Sequence, residues 1–553
     1  MPRPRILAAF AVLLLSLLPC AARAQSPTVI PHLERRGKAV QLVVEGKPYL
    51  VLGGELGNSS SSSLAYMEPI WPKLQQMHLN TALAAVSWSQ IEPEEGRFDF
   101  SVVDGLITGA HSHDLHLVLL WFGSWKNGLS HYAPTWVRSD YKRFPRAKLA
   151  TGTAEVLSPF SEVNREADAR AFAALMRHVK EVDQARVVVM IQVENEVGLL
   201  GDSRDRSAAA AAAFRAPVPK ELVSYLQSHR TNLLPELKKI WNPAAGAGAS
   251  WQQLFGGGAQ ADEAFMAWGY ASYLNAVARA GKAEYALPMY VNAWIVQPQD
   301  TMPGNYPSGG PQAQVHDIWK AAGSSIDILA PDIYLPDFPG ITALYQRSGT
   351  PLFVPESTSG VAGAANAFYA IGQRAAIGYS PFGIERVAGD AASTPIAKAY
   401  SVLDQLAPLI LESQSKGTVA GVWLNRDHPE EKIRLGDYLV TASLRRGRRA
   451  ADAAAERGYG LIMATGPGEY TVAGSDVQIT FAPATAGPPV AGLATVEEGA
   501  FVDGRWVPGR QLSGDEIMIS YDMAANAAAH QTGTGLKFTA DPGIQRVKLY
   551  RYE

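Results

Sequence analysis

Two places in this sequence put carboxyl side chains where acid and base chemistry needs them. Residues 192–196 read Gln-Val-Glu-Asn-Glu at the end of an apolar run, and Glu356 ends another such run. In the first, an amide that can bind a hydroxyl group stands beside a carboxyl that can give up a proton. Because side chains alternate along a strand, Glu194 and Glu196 fall on one face and Asn195 on the other. Spacing alone therefore leaves open which of the two glutamates reacts.

Acids that follow strands are often helix caps, and we prefer that interpretation for Asp104 and Asp332 taken alone. It does not suit Glu196 or Glu356, because neither precedes an obvious amphipathic helix and the capping position prefers Asp or Ser over Glu. Glu92 stands directly before a proline and glycine turn, and we expect it to shape that loop rather than to react.

The elements that must position these acids are eight apolar runs that alternate with amphipathic stretches. This pattern is typical of strand–helix units around a parallel sheet. Eight parallel strands close most naturally into a (β/α)₈ barrel, which carries its chemistry at the carboxyl ends of the strands. The runs lie at residues 49–52, 81–83, 117–120, 187–191, 289–291, 326–329, 352–354 and 375–377. A long insertion at 201–273 is expected to form a lid or a subsite wall on that rim.

The pattern changes after a helical stretch at residues 396–406. Short alternating strands follow, with Asp503-Gly504 as a hairpin signal. We predict a (β/α)₈ barrel over 25–415 and a smaller β-sandwich over 416–553. The sandwich is expected to pack on the barrel, because no ligand constellation stands out in it.

Composition limits the classes of function. The chain has 553 residues, of which 47% are hydrophobic and 18% charged, with a formal net charge of -3. Such a chain has enough apolar surface for a large core and too little charge to remain unfolded. The balance of charge gives no electrostatic reason to expect a nucleic-acid partner.

The first residues indicate export. Arginines precede an apolar run at 6–18, and a small-residue triplet follows at 22–24, so residues 1–24 read as a cleaved signal. A lipid on Cys20 is the weaker alternative because Pro19 is unfavourable there. Cleavage removes three arginines and no acid, which moves the charge from -3 to -6, and it removes the single cysteine. No later stretch is long and apolar enough to span a membrane. We expect a periplasmic or extracellular protein without disulfides.

On these residues the chain resembles glycoside hydrolase family 35, whose members are retaining glycosidases built on (β/α)₈ barrels, and within it the bacterial branch with a β-rich C-terminal domain. The matching segments are 53–56, Trp71 with Leu74, Met77 and Asn80, 88–100, 121–128, 192–196, 330–334 and 351–356. The resemblance implies β-galactosidase activity. It also implies that Glu196 is the acid/base, Asn195 the ligand of the sugar 2-hydroxyl and Glu356 the nucleophile.

Retaining hydrolysis needs two carboxyls about 5–5.5 Å apart, one protonated and one ionised. Opposed environments keep the two protonation states different at one pH. We therefore expect Glu356 to be negative and the pKa of Glu196 to be raised. Tyr334, at the end of the preceding strand, is expected to hydrogen-bond Glu356 and to favour its charged form.

The sugar contacts differ from those of better-known family members. A Gly-Asn-Ser run at 57–63 replaces an aromatic residue, and Ser124 stands where a sugar-binding Glu is expected. Indole faces stack on sugar C–H surfaces, and amides or acids bind hydroxyls. On that basis we expect four other residues to bind the sugar: Trp121, Trp125, Asn127 and Glu55. For each of them, core packing or loop structure is the alternative.

The sequence thus predicts a secreted retaining exo-β-galactosidase that acts on terminal galactosyl residues of oligosaccharides or polysaccharide side chains. Alternatives are another retaining glycosidase of the clan, such as a β-glucosidase or an endo-glycanase, or an inactive glycan-binding protein. We expect a carbohydrate substrate, no metal and no cofactor, and the oligomeric state stays open. The cluster at His111, His113, Asp114 and His116 precedes the third strand, away from the catalytic rim, and the basic run at 445–449 reads as a solvated loop.

Overall fold

A computed structural model describes residues 29–387, 389–445, 455–519 and 533–553. The predicted signal at 1–24 and most of the basic run at 445–449 lie outside these ranges. In chain order the strands are β1 His32–Arg36, β2 Ala39–Val44, β3 Lys47–Tyr49, β4 Val51–Glu55, β5 Thr81–Ser87, β6 His116–Lys126, β7 Arg146–Leu149, β8 Gly152–Leu157, β9 Val188–Asn195, β10 Met289–Trp294, β11 Ile328–Asp332, β12 Val354–Ser357, β13 Gly378–Pro381, β14 Val419–Asn425, β15 Glu430–Leu435, β16 Tyr438–Leu444, β17 Arg457–Gly466, β18 Glu469–Ser475, β19 Val477–Pro483, β20 Val490–Val502, β21 Arg505–Gln511, β22 Leu536–Lys537 and β23 Gly543–Tyr552.

Some helices begin at a side-chain cap, such as Ser161 before α6 and Thr394 with Pro395 before α15. Among the residues that the structure describes, no helix combines the length and the apolarity of a membrane span. The helices are α1 Leu64–Met67, α2 Ile70–Gln76, α3 Trp88–Ile91, α4 Ser101–Ser112, α5 Thr135–Ser139, α6 Glu162–Val182, α7 Ala208–Arg215, α8 Lys220–Ser228, α9 Pro235–Ile240, α10 Trp251–Phe255, α11 Ala259–Glu284, α12 His316–Ala321, α13 Phe338–Gln346, α14 Gly360–Arg374 and α15 Pro395–Lys416.

The predicted barrel is confirmed. Eight parallel strands follow the order β11-β10-β9-β6-β5-β4-β13-β12, and a parallel bridge between Ile333 and Ser357 joins the two ends. Seven predicted runs overlap their strands, but the eighth is displaced: Ala375 ends α14 in the left-handed conformation, so the strand begins at Gly378. The carboxyl ends of all eight strands therefore meet on one rim.

The barrel is closed at its opposite end by the first three strands. These form an antiparallel sheet in the order β1-β2-β3. Leu42 and Val44 of β2 join the cluster of side chains that fills the barrel interior, which includes Leu120, Met190 and Phe353. Buried apolar side chains thus support the strands from below, and the polar strand ends remain for the other side.

The predicted insertion at 201–273 is largely helical. It contains α7 to α10 and the first half of α11, a helix of 26 residues that packs on α6. Because α6 and α11 lie behind β6 and β9, their inward side chains face the outer surface of those strands. The side chain of Glu194, from β9, lies in this helical layer.

The C-terminal region is β-rich, as predicted. It has a six-stranded antiparallel sheet, β14-β17-β18-β23-β20-β21, and a four-stranded one, β15-β16-β19-β22, with a shared apolar core. The first sheet packs on α14: the Trp423 indole donates to Asn366 Oδ1 at 3.0 Å, and the rings of Phe368 and Tyr459 lie 4.8 Å apart. The expected packing against the barrel is therefore present.

Candidate active site

Glu196 and Glu356 lie close together at the carboxyl ends of β9 and β12. One carboxylate oxygen from each, together with one from Asp332 at the end of β11, lies within 4.8 Å of the other two. All three side chains are buried. Residues separated by 160 positions in the sequence thus share one pocket, at a spacing that suits the double displacement of a retaining glycosidase.

The backbone at the end of β9 departs from regular strand geometry. Glu194 has φ 60° and Glu196 has φ 44°, which is the left-handed region that residues other than glycine rarely occupy. Such strain persists where surrounding contacts fix it and is concentrated at functional sites. Here it turns the two side chains to different places: Glu196 faces the pocket and Glu194 faces the layer behind it.

Hydrogen bonds fix Glu196 from two sides. The Asn127 amide donates to Glu196 Oε2 at 2.7 Å, and the backbone N–H of Glu196 donates to Asn292 Oδ1 at 3.0 Å. Asn292 in turn donates from Nδ2 to Asp332 Oδ2 at 2.7 Å. The predicted sugar ligand Asn127 therefore contacts the proposed acid/base itself.

The environment of Glu196 favours a protonated carboxyl. Burial, and then the negative charge of Glu356, raises the pKa of Glu196 to about 7, although Lys126 and the hydrogen bond with Asp332 oppose the rise. A carboxyl with such a pKa can act as an acid and then as a base near neutral pH.

Glu356 has groups that favour its charge. The Tyr334 hydroxyl donates to Glu356 Oε1 at 2.8 Å, which is the hydrogen bond that the sequence suggested. The pKa of Glu356 is nevertheless raised, because burial outweighs the positive charge of Lys126 and the Tyr334 hydrogen bond, which both lower it. Tyr334 is 53% exposed, so it stands at the mouth of the pocket.

Two residues of the site were missed in the sequence. Asp332 is not a helix cap, because the cap of α13 is Asp337, which accepts from the Gly340 N–H at 3.0 Å. Burial and the charges of Glu356 and Glu196 raise the pKa of Asp332 well above its usual value. Lys126 is buried, and its charge lowers the pKa of both Glu196 and Glu356.

Glu55 and Asn195 supply polar groups without partners. Burial, and then the charge of Glu356, raises the pKa of Glu55 well above its usual value. Within the described ranges, neither oxygen of Glu55 and neither amide atom of Asn195 has a hydrogen-bond partner. Buried polar groups are normally satisfied, so such groups are available to a hydroxyl-rich ligand. We call Glu55, Glu196, Asp332 and Glu356 the pocket acids.

The prediction that Trp121 and Trp125 bind sugar is wrong. Both indoles are fully buried outside the barrel wall, in the layer of α6 and α11. Trp121 Nε1 donates to Asp168 Oδ1 at 3.0 Å, and Trp125 Nε1 donates to the Leu157 carbonyl at 3.1 Å. Their faces are covered by protein rings, since Trp125 packs on Tyr273 with centroids 4.6 Å apart.

Glu194 lies in the same outer layer. Its two carboxylate oxygens accept the backbone N–H groups of Ser124 and Trp125 at 3.0 and 2.7 Å. Ser124 Oγ donates to Asp168 Oδ2 at 2.6 Å, so this serine is structural and does not replace a sugar-binding Glu. We call Glu194 and Asp168 the rear acids.

Glu92 has the role that the sequence suggested for it. Its carboxylate accepts the Trp88 indole N–H at 2.8 Å and the Gly96 backbone N–H at 2.7 Å. The residue is buried and holds the turn together. It is therefore a useful reference for a buried glutamate without a part in the pocket.

The oxygens of Glu196, Asp332 and Glu356 also have the spacing that a bound cation requires. Oxygen ligands of this kind suit hard ions such as Mg²⁺ or Ca²⁺. The same cluster therefore permits two interpretations, a pair of glycosidase carboxyls or a cation site, which chelation can distinguish.

Two family models match parts of the chain. Residues 65–246, which include Asn195 and Glu196, match the model of glycoside hydrolase family 42, described as β-galactosidase. Residues 396–522 match a domain of unknown function (DUF5597). The matching hydrolase family is thus family 42 rather than family 35, and over residues 65–246 the chain is similar to β-galactosidases.

A curated β-galactosidase from Xanthomonas manihotis is 29% identical over 207 residues, which cover 34% of this chain and 30% of that protein. The matched part is therefore less than a third of the relative's length. Among solved structures, a β-galactosidase from Marinomonas ef1 aligns at 13% identity and a TM-score of 0.46, covering 66% of this chain and 61% of that one. The catalytic domain of a β-amylase from Paenibacillus polymyxa aligns at 12% identity and a TM-score of 0.45, covering 63% and 96%.

Proposed function

We propose that this chain is a retaining exo-β-galactosidase that removes terminal β-galactosyl residues from oligosaccharides or polysaccharide side chains. The observation that carries the proposal is that one carboxylate oxygen of Glu196 and one of Glu356 lie within 4.8 Å of each other in buried side chains. Tyr334 donates a hydrogen bond to Glu356, and the pKa of Glu196 is raised to about 7. Similarity to β-galactosidases over residues 65–246 supports galactose as the sugar.

In the first step the ionised Glu356 attacks the anomeric carbon. The bond from that carbon to the leaving oxygen breaks, and Glu196 transfers its proton to this oxygen. The products are the free alcohol and a galactosyl ester of Glu356. Lys126 and Tyr334 favour the negative charge that the attack requires.

In the second step Glu196, now ionised, takes a proton from water. The water oxygen bonds to the anomeric carbon, and the ester bond to Glu356 breaks. Galactose leaves with its original configuration, Glu356 is again a carboxylate, and Glu196 is again protonated. The hydrogen bond from Asn127 stabilises the ionised form of Glu196 between the two steps.

Exo action is supported by the enclosure of the pocket. Glu55 and Asn195 are almost completely buried beside the proposed catalytic pair. Buried polar groups without partners in the described chain suit the hydroxyls of one terminal sugar better than the middle of a chain.

The central test is Glu356→Ala. We expect hydrolysis of aryl β-galactosides to fall by about 10⁵-fold or more, since the nucleophile is lost. Azide should restore turnover and give an α-galactosyl azide, whose configuration is inverted. Glu92→Gln is the matched control, because it alters a buried glutamate outside the pocket. Near-normal turnover by Glu356→Ala on natural substrates would disprove the assignment.

A panel of aryl glycosides separates the rival functions. If the chain prefers an aryl glucoside, its specificity is for glucose and not galactose. If it releases a ladder of oligomers from a polysaccharide, it is an endo-acting and not an exo-acting enzyme. Binding without turnover by the wild-type chain would identify an inactive glycan-binding protein. Loss of turnover after dialysis against a chelator would favour the cation interpretation of the acid cluster.

We further propose export from the cytoplasm, on the basis of the signal pattern at residues 1–24. The expected mature protein begins at Gln25. N-terminal sequencing of protein from the periplasm or medium of the native host tests this, and an intact N-terminus in the cytoplasm would contradict it.

A further inference from the structure

Glu194 holds a segment of β6 from behind the pocket. Its Oε1 accepts the Ser124 N–H at 3.0 Å and its Oε2 accepts the Trp125 N–H at 2.7 Å. One carboxyl thus binds two consecutive backbone donors at the end of β6. These donors lie where the pairing of β6 with β9 loses its regular register, between Trp121 and Lys126. The carboxyl replaces strand partners that the backbone lacks there.

Asp168 of α6 supports this arrangement from the next layer. It accepts the Trp121 indole N–H at 3.0 Å, the Ser124 hydroxyl at 2.6 Å and the Tyr273 hydroxyl at 3.3 Å. Burial, and then the charge of Asp168, raises the pKa of Glu194 well above its usual value.

The space around the rear acids is filled. A Cβ on Gly123 would lie 2.5 Å from Glu194 Oε1 and 3.0 Å from Asp168 Oδ1. The glycine is required by this close approach, because any side chain would displace the carboxyls. The segment 123–125 is consequently fixed on one side by hydrogen bonds and on the other by the absence of free volume.

The fixed segment leads directly to a residue that contacts Glu196. Asn127 follows Trp125 by two positions, adopts φ 51°, and donates from Nδ2 to Glu196 Oε2 at 2.7 Å. A path of hydrogen bonds and backbone therefore connects Glu194 to Glu196. Glu194 fixes the end of β6, and the end of β6 returns through Asn127 to hold Glu196.

We propose that Glu194 is a positioning residue for Glu196 and acts on it through the segment 124–127 and the amide of Asn127. This inference rests on the proposed function for its kinetic consequences, but not for its structural ones. It assigns different tasks to two glutamates that the sequence leaves equivalent: Glu196 faces the substrate, and Glu194 fixes the residue that holds Glu196.

Glu194→Gln is the appropriate variant. An amide has one acceptor oxygen, so it cannot accept both backbone N–H groups, and its NH₂ group would face one of them. We expect the segment to shift and the hydrogen bond from Asn127 to Glu196 to weaken. Since that bond favours the ionised form of Glu196, its loss should raise the pKa of Glu196.

A carboxyl titration measures this without any assumption about activity. With ¹³C-labelled glutamate side chains, and Glu196→Gln to assign the signal, the pKa of Glu196 should rise by about one pH unit in Asn127→Ala. It should rise by a similar amount in Glu194→Gln and stay unchanged in the control Glu92→Gln. A normal Glu196 titration in folded Glu194→Gln would overturn the proposal, whether or not the chain hydrolyses galactosides.

A double-mutant cycle tests the path. Asn127→Ala and Glu194→Gln should each lower kcat/KM by about tenfold, and the double variant by about tenfold rather than a hundredfold, because both act on one contact. Glu92→Gln combined with Asn127→Ala should show independent effects. Multiplicative losses in the Glu194 and Asn127 pair would contradict the path.

A second variant covers the case in which Glu194→Gln does not fold. Ser124→Ala removes the hydroxyl bonds to Asp168 and Tyr273 but keeps the backbone N–H that Glu194 binds. It should raise the pKa of Glu196 in the same direction by a smaller amount. An unchanged pKa in this variant would count against the proposal. If the pKa of Glu196 does not rise in these variants, the positioning role is contradicted. If the pKa rises as expected but the wild-type chain does not hydrolyse galactosides, only the proposed function is contradicted.

Discussion

The pocket acids and the rear acids lie on opposite sides of the barrel wall and differ in how their oxygens are used. The rear acids accept five hydrogen bonds from named backbone and side-chain donors. Among the pocket acids, both oxygens of Glu55 and one oxygen each of Asp332 and Glu356 have no partner in the described parts of the chain.

The difference separates structural from functional burial. A buried acid whose oxygens are all bonded stabilises the backbone around it, and its removal leaves donors unsatisfied. A buried acid without partners lowers stability in exchange for a site that can bind a polar ligand. Burial alone does not make this distinction, because both groups are almost inaccessible to solvent.

After Glu356→Ala, the largest effect is expected from removing the proton donor of the pocket. Glu196→Ala should lower kcat/KM by about 10²–10⁴-fold for substrates with poor leaving groups, since general acid catalysis is lost. Activated aryl galactosides, whose leaving groups need no proton, should be much less affected. Rates measured across a series of aryl galactosides check this, and an equal loss for all leaving groups would refute the assignment.

The pH dependence should report the two opposed protonation states. Glu196 must be protonated to act, and its pKa is raised to about 7, so kcat/KM should fall as the pH rises through about 7. Glu356 must be ionised, so kcat/KM should also fall at acidic pH. Lys126 lowers both pKa values, and Lys126→Met should therefore move both limbs to higher pH by about one unit. Lys398→Met, at the exposed ion pair with Asp541, is the control. A profile of Lys126→Met that coincides with wild type would contradict the electrostatic role.

Replacing a buried glutamate with leucine should raise the free energy of unfolding where the carboxyl has no partners and lower it where the carboxyl is fully hydrogen-bonded. Glu55→Leu removes a buried carboxyl without partners in the described chain and should stabilise the fold by about 1–2 kcal/mol, while turnover falls. Glu92→Leu orphans the donors on Trp88 and Gly96 and should destabilise it by about 1–3 kcal/mol. Denaturant unfolding measures both, and equal destabilisation would invalidate the distinction.

The smallest effect is expected at Trp125, in the helical layer outside the barrel strands. Trp125→Phe keeps an aromatic ring but loses the hydrogen bond to the Leu157 carbonyl, so the free energy of unfolding should fall by about 1 kcal/mol. KM should remain unchanged because the indole does not reach the pocket. A large rise in KM with unchanged stability would restore Trp125 as a sugar ligand.

The apolar runs predict the barrel because they have a clear period and length. Glu194, Glu196 and Glu356 are predicted on one rim because the strand ends collect there, and only the family resemblance favours Glu196 over Glu194. Spacing alone does not separate Glu194 from Glu196, since strict alternation puts both on one face. The left-handed φ of each residue breaks that alternation. This strain comes from tertiary contacts and has no local sequence signal.

The error at the two tryptophans comes from the face of β6 on which they lie. Alternation along this strand puts Leu120 and Phe122 in the barrel interior and Trp121 in the helical layer, where Trp125 also lies. Lys126 was missed because one lysine in a strand carries no pattern. Its importance depends on acids that come from other strands.

The most direct test of the central claim is covalent trapping of the nucleophile. An activated 2-deoxy-2-fluoro-β-galactoside should form its ester readily and hydrolyse it slowly, so that the labelled peptide can be identified by mass spectrometry. The pocket holds three other carboxyls that could compete, which makes the position of the label informative. We predict one sugar on Glu356 and none after Glu356→Ala. A label on Glu55, Asp332 or Glu196, or turnover without any trapped sugar, would contradict the account.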